Sequence, residues 1–130
     1  MNQTPRVLAQ APLVAFVAST DLTRSRTFYG GILGLTETES SPFACVFDAG
    51  GTQLRVTAVG EVATAPYTTL GWVVTNIEDS IHGLVTVGVT FRIFDGMEQD
   101  AVGVWTTPDG SKVAWFNDPD GNLLSLTQPA

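Results

Sequence analysis

Apolar residues recur along this chain in two rhythms, and the rhythms alternate in the same order twice. The run LVAFVAS at 13–19 precedes a stretch in which Leu22, Ser25, Tyr29 and Ile32 fall at spacings of three and four. The first pattern predicts a strand and the second an amphipathic helix. Further on, YTTLGWVV at 67–74 precedes Ile77, Ile81, Leu84 and Val85, which form a second apolar helical face. Three shorter strands are predicted after each helix, at 35–39, 43–47 and 52–59, then at 90–94, 111–117 and 122–127. Turn-forming DAGG and DPDG separate the last two strands of each set, as Gly, Asp and Pro do where a chain reverses. Each half reads β-α-β-β-β.

The repeat is visible in letters as well as in pattern. TDLTRS at 20–25 matches TNIEDS at 75–80, each with an Asx residue placed to cap a helix. GLT at 34–36 matches GVT at 88–90, and FDAGGTQLRVT at 47–57 matches NDPDGNLLSLT at 117–127. The caps Asp21 and Asn76 stand 55 positions apart, Gly34 and Gly88 stand 54 apart, and Asp48 and Asp118 stand 70 apart. The second copy therefore carries about 16 extra residues between Thr90 and Asp118. The expected organisation is a tail at 1–10 and one domain at 11–130, made of a module at 11–60 and a module at 66–129. GEVATAP at 60–66 connects the modules.

With 130 residues, of which 44% are hydrophobic and 15% charged, the chain can bury one sizeable core. It has no apolar run long enough for a membrane span, and MNQTPRVLAQAP lacks the basic-then-apolar order of a secretory signal. A cytoplasmic protein without a membrane partner is the expectation. A net charge of −7 with only six basic residues argues against a nucleic-acid partner, because phosphate backbones need clustered Lys and Arg. The single cysteine, Cys45, excludes an intramolecular disulfide and cannot anchor a cysteine zinc site. Within PFACVF it reads as a small buried hydrophobe.

The duplicated unit, the DL…S..FY…LGL string from Asp21 to Leu35 and the closing DPDGNLLSLTQ resemble the vicinal oxygen chelate superfamily. That superfamily takes in glyoxalase I, extradiol dioxygenases, fosfomycin-resistance enzymes and bleomycin-resistance binding proteins. The resemblance covers about residues 11–128. It implies an α+β fold in which two tandem βαβββ modules form an open, cavity-enclosing mixed β-sheet barrel flanked by helices. It also implies a homodimer.

Metal-dependent members of the superfamily take His, Gln or Glu ligands from the first and last strand of each module. By the resemblance these positions fall at Val14 (or Leu13 with a shift of one), Arg55, Thr69 and Ser125. Val and Leu have no donor atom, and Arg is permanently protonated. Neutral hydroxyls are weak beside carboxylates and imidazoles. No metal site and no cofactor are expected. The sole histidine, His82, shares a polar helix side with Glu78, Asp79 and Thr86 and reads as a solvated face. Asp48, Asp109, Asp118 and Asp120 read as turn acids bonding nearby backbone N–H groups.

What remains is a pocket without a metal. In a strand, alternate residues share a face. If Arg55 and Ser125 point inward, then Gln53, Thr57, Leu123 and Thr127 do so too, as do Thr69, Gly71 and Val73, and Val14, Phe16 and Ala18. Such a lining suits a small-molecule ligand. Arg55 either grips a carboxylate, phosphate or enolate, or stacks on a planar ring, or instead pairs with an internal acid or reaches solvent. The inserted segment, with Met97, Glu98, Asp100 and Trp105, is either a flap or a hairpin on a partner subunit. Trp72 and Trp115 are either pocket walls or core. The candidate ligand-binding residues are Val14, Phe16, Gln53, Arg55, Thr69, Gly71, Trp72, Met97, Trp105 and Ser125. The expected function is metal-independent binding of a small apolar or planar, in part anionic, molecule, as in resistance or sequestration proteins. The alternative is a glyoxalase-like lyase or dioxygenase with a non-standard site, for which Arg55 and Asp100 are the catalytic candidates.

Overall fold

The computed structural model describes residues 6–130, so residues 1–5 of the expected tail lie outside the described residues. The first module runs β1 (Val14–Ser19), α1 (Leu22–Arg26), β2 (Thr36–Ser40), β3 (Ala44–Ala49) and β4 (Thr52–Ala58). The second runs β5 (Leu70–Val73), α2 (Ile77–Thr86), β6 (Trp105–Thr106), β7 (Lys112–Asn117) and β8 (Leu123–Gln128). The sheet orders are β1-β4-β3-β2 and β5-β8-β7-β6, so both halves have one topology and the fold is α+β with two βαβββ modules. In each sheet the first strand runs parallel to the last and the other pairs are antiparallel. As expected of an open arrangement, the sheets do not close into one barrel: each module keeps its own four-stranded sheet, and among the described residues no strand pairing joins the two. Among the described residues no helix is long and apolar enough to cross a membrane.

The Asx residues cap as their positions suggest. Asp21 accepts a hydrogen bond from Arg24 N at 3.1 Å, and Asn76 accepts one from Asp79 N at 3.1 Å, satisfying donors that a helix start leaves free. After α1 the helix widens into a π-helical turn, Thr27–Ile32, in which Leu33 N bonds Phe28 O. That widening sets both Phe28 and Tyr29 into the core. In α2, Ile77 and Ile81 are buried, but Val85, expected on the same face, is exposed.

One predicted strand is replaced by two fragments. The backbone of residues 90–94 meets the sheet through a bridge of Phe91 to Phe116 and an Arg92 N to Trp115 O bond of 2.8 Å, and forms no regular strand. The paired edge strand is β6, inside the insertion, where Trp105 faces Val113. The extra residues leave the edge of β7 after Phe94 and return at Trp105, so two short pieces divide an edge that β2 covers alone in the first sheet.

A second difference lies in the hairpins. Ala49 pairs with Thr52 across Gly50 and Gly51, whose φ of 59° and 92° lie in the region that glycine tolerates. Asn117 pairs with Leu123 across five residues. The repeat matched letter by letter holds in β8, since Arg55 and Ser125 correspond, but it slips by one residue in β7. The residue beside Arg55 is Val46 and the residue beside Ser125 is Trp115, so Phe47 corresponds to Phe116 and not to Asn117. A slip of one residue in a strand exchanges its two faces.

One face of each sheet lies on the helices. Cys45, Phe47, Leu54 and Val56 from the first sheet and Ala114, Phe116, Leu124 and Leu126 from the second form one core with Phe28, Tyr29, Ile77 and Ile81. Phe28 meets Tyr29 edge-on at 5.1 Å and lies 6.5 Å from Phe116, so the helix of one module packs on the sheet of the other. Burial of this apolar surface is the main force joining the modules.

The seam is also polar. Asp118 Oδ2 accepts from the Tyr29 hydroxyl at 2.7 Å and from Asn122 Nδ2 at 2.8 Å, while its Oδ1 accepts from Asp120 N and Asn122 N. Asp120 Oδ1 accepts from Thr20 N and from Arg24 Nη2, each at 3.0 Å. The acids expected only to shape a turn thus also bind across to the first module. Burial and the neighbouring Asp118 carboxylate push the Tyr29 phenol far above its usual range, so it stays a donor. Burial alone raises the Asp120 pKa, but the Thr20 donors and Arg24 outweigh it and hold this carboxyl below the ordinary value.

Candidate ligand-binding faces

Because the core claims one face of each sheet, alternation leaves the other face of each sheet open. In the first sheet Leu54 and Val56 are buried in the core, so Gln53, Arg55 and Thr57 lie on the open side. Their partners across β1 are Val14, Phe16 and Ala18, and across β3 Asp48, Val46 and Ala44. One row runs Phe16, Arg55, Val46, Glu39. Phe16 is 61% exposed, which leaves an apolar ring on the surface. The two ion pairs of the described residues are Arg24 with Asp120 and Arg26 with Glu37, so half-buried Arg55 joins neither. Beside it the Thr57 hydroxyl is buried without a hydrogen-bond partner, between Ala18 and Ala44. Unsatisfied buried polar groups are rare and mark places where a partner is missing.

The open face of the second sheet is built differently. Gly71 pairs with Ser125, and Ser125 with Trp115. A Cβ on Gly71 would stand 2.7 Å from Ser125 Oγ, so the glycine is what makes room for that buried hydroxyl. The next row runs Val73, Thr127, Val113, Trp105. Trp105 and Trp115 lie 6.3 Å apart with planes 32° from parallel, and Phe94 meets Trp115 edge-on at 5.6 Å. Trp115 Nε1 donates to Thr68 Oγ1 at 3.1 Å, which fixes the ring. Arg92 lies over Phe94 at 5.2 Å and donates to Asn117 Oδ1 at 2.6 Å. The result is an aromatic wall with one cation at its end.

The sequence-derived set is therefore divided. Val14, Phe16, Gln53 and Arg55 share the first open face, and Gly71, Trp105 and Ser125 share the second, with Thr69 at its margin through Thr69 N to Leu123 O. Trp72 is on the other side: it stacks on Phe116 at 6.4 Å and walls a cleft of about 210 Å³ with Leu33, Leu35 and Leu84. Alternation required this, since Gly71 and Val73 flank it on the open face. Met97 is half-buried at the turn after Phe94. The inserted segment is pinned: Gln99 accepts from Phe94 N and donates to Arg92 O and Gly103 O. Asp100 Oδ1 accepts from Val102 N and Val104 N, and the residue lines a groove beside α2 with Glu78 and His82. Arg55 and Asp100 are not brought together. Phe94, Arg92 and Asn117 belong to the second open face and were not among the candidates; Trp115, left open between pocket wall and core, lies on that face too.

The four positions at which the resemblance places metal ligands do not fit a metal. Arg55 brings a cation, Val14 and Leu13 bring no donor, and Thr69 and Ser125 bring neutral hydroxyls. Among the described residues no group of three or more His, Cys, Asp or Glu is placed to hold one.

Residues 11–126 match the Glyoxalase/Bleomycin resistance protein/Dioxygenase superfamily. No curated protein matches the chain. Among solved structures, a member of the same superfamily from Sphaerobacter thermophilus is 20% identical, with 93% of this chain and 98% of that chain covered and a TM-score of 0.71. The genomically encoded fosfomycin resistance protein FosX from Listeria monocytogenes is 14% identical over 93% of this chain and 94% of that chain, with a TM-score of 0.74. A lactoylglutathione lyase from Agrobacterium tumefaciens is 14% identical over 92% and 94%, with a TM-score of 0.71. At these identities the likeness is one of fold.

Proposed function

The chain belongs to the Glyoxalase/Bleomycin resistance protein/Dioxygenase superfamily, and from that premise we propose that it binds a small planar, largely apolar molecule without a resident metal. The observation that carries this reading is the aromatic wall of Trp105, Trp115 and Phe94 beside the Gly71–Ser125 slot, at a place that holds no strong metal donor. Flat apolar ligands stack on such a wall at about 0.5–1.5 kcal/mol per ring pair beyond their buried area. Arg55, unpaired on the first open face, supplies a counter-charge for an anionic substituent. A second copy of the chain covers the open faces, on which Phe16 and Val73 are exposed, and encloses the ligand between copies. Sequestration, as in a resistance protein, needs no more than this.

Metal content and ligand binding test it together. Protein incubated with Zn, Ni, Mn or ferrous iron and then desalted is expected to retain no stoichiometric metal by elemental mass spectrometry. Planar aromatic carboxylates such as 2-naphthoate are expected to quench tryptophan fluorescence saturably, and Trp115→Ala is expected to remove that quenching. One metal retained per chain would overturn the metal-free reading and direct attention to lyase and dioxygenase reactions.

A further inference from the structure

A groove distinct from both open faces lies between α2 and the inserted segment. Two adjoining hollows of about 460 and 330 Å³ share Ile81, Val85, Ala101 and Val102 as walls. Val85 is 51% exposed, Val102 48% and Ile93 61%, so apolar side chains are left facing water in one place. Three aliphatic side chains exposed side by side give an apolar ligand body a floor to rest on. The outer wall comes from Ala101 and Val102, which belong to the insertion that the first module lacks.

The rim is acidic. Glu78, His82 and Asp100 stand over the larger hollow, and no Lys or Arg lines either one. Neither carboxylate is in an ion pair, since the two ion pairs of the described residues use Asp120 and Glu37. Asp100 has one oxygen committed to Val102 N and Val104 N. Arg92, flanked in sequence by the groove residues Phe91 and Ile93, carries its guanidinium away to Asn117 and Phe94 on the open face. The groove is also preformed, because the three hydrogen bonds of Gln99 and the two to Asp100 hold the segment in shape.

We propose that this groove binds a small amphiphilic cation, an ammonium head on an alkyl or aryl body. The body lies along Ile81, Val85, Val102 and Ile93, and the head sits between Glu78 and Asp100. An apolar floor under an unpaired acidic rim, on a chain of net charge −7, selects that combination over an anion of the same body. The site does not depend on what the open faces bind.

Amide NMR titrations with 4-phenylbutylammonium and 4-phenylbutanoate separate the outcomes, since the two probes share a body and differ in charge. The amine is expected to shift the Ile81, Val85 and Val102 amides saturably, and the carboxylate to bind at least about tenfold more weakly. The double variant Glu78→Gln with Asp100→Asn keeps the oxygen that caps the segment and is expected to weaken the amine about three- to tenfold. Val85→Arg, which fills the groove with a cation, is expected to abolish binding. Equal affinity for both probes, or amine-induced shifts confined to Gly71, Ser125 and Trp115, overturns the proposal. So does a concentration-dependent shift of the groove amides without probe that follows dimerisation in sedimentation, because the occupant is then a second copy.

Discussion

The two modules share one topology and differ most where they face away from the core. On the core side Leu54 and Val56 answer Leu124 and Leu126, and Phe47 answers Phe116. On the open side the row Phe16, Arg55, Val46 answers Gly71, Ser125, Trp115. Bulk sits on the first strand in one module and on the third in the other, and the cation of the first becomes a hydroxyl in the second. A duplicated unit keeps the contacts that let it fold, because close-packed interiors tolerate little change in volume. Its open face carries no such constraint, so the chemistry diverges there.

The largest expected effect comes from cutting the polar seam that holds the two modules in one body. Asp118→Ala leaves the Tyr29 hydroxyl and two backbone N–H groups without their acceptor, and Asn122 Nδ2 with Ala18 O alone. Buried donors left unpaired cost about 1–3 kcal/mol each in the worst case. A loss of about 3 kcal/mol in urea unfolding is expected, with a smaller loss for Tyr29→Phe, which removes one partner and leaves no buried donor behind. If Asp118→Ala unfolds as readily as wild type, this carboxylate adds nothing to the apolar burial that joins the modules.

Next come the two tryptophans whose placement distinguishes core from open face. Trp72→Ala removes a half-buried ring stacked on Phe116 and is expected to cost about 2 kcal/mol. Trp115→Ala removes a ring on the open face, with an expected cost of about 1 kcal/mol and loss of aromatic-ligand quenching. An equal stability loss at both positions would show the second open face to be packed in solution, as by a second copy, and not free for a ligand.

These two residues also show how far the sequence could be read. Strand order, helix faces and the duplication are legible because they rest on periodicity, which burial enforces. Trp72 between Gly71 and Val73 had to face the core once those two were placed outward, and its inclusion among ligand-binding residues missed that consequence. Trp115 was obscured by a turn. Matched by letters through the DAGG and DPDG hairpins, it falls opposite Cys45, a core position, whereas the longer second hairpin moves it opposite Val46's place, on the open face. Phe94 and Arg92 were hidden for a related reason. They were read as a regular strand, whereas the insertion lets the chain leave the edge there and brings in Trp105 from farther along. Turn length and edge breaks are set by a few residues with weak local signals, and each decides which side of a sheet a long stretch presents.

Acid titration is expected to give a smaller effect, again at the seam. The Asp120 carboxyl is held below its ordinary value in the folded chain, and its side chain is only 3% exposed. A folded-state pKa below the unfolded one means that the carboxylate's contribution is fully present above the ordinary carboxylate range. It is lost as pH falls through that range toward the folded value. Stability measured from neutral pH downward is thus expected to drop below about pH 4, where unfolded carboxylates take up protons. Asp120→Asn is expected to flatten that drop while lowering stability at neutral pH. An unchanged acid slope in Asp120→Asn would assign the acid sensitivity to other carboxylates.

The smallest change in stability is expected at Arg55, which is where the two open faces differ most in charge. Since Arg55 joins neither ion pair, Arg55→Ala removes no ion pair and should alter unfolding by no more than about 0.5 kcal/mol. Arg55 is half-buried beside an unpaired Thr57 hydroxyl, and on the proposed reading its contribution is to ligand binding. For 2-naphthoate the variant should lose about tenfold in affinity, in keeping with a charge-assisted hydrogen bond of about 1.5 kcal/mol. Neutral 2-naphthamide should bind both proteins alike, because stacking on Trp115 does not involve the cation. The difference between the two probes, and not either affinity alone, places Arg55 against the ligand. If both probes weaken together, the arginine shapes the face and does not read charge, and the two modules then differ in form but not in the chemistry they recognise.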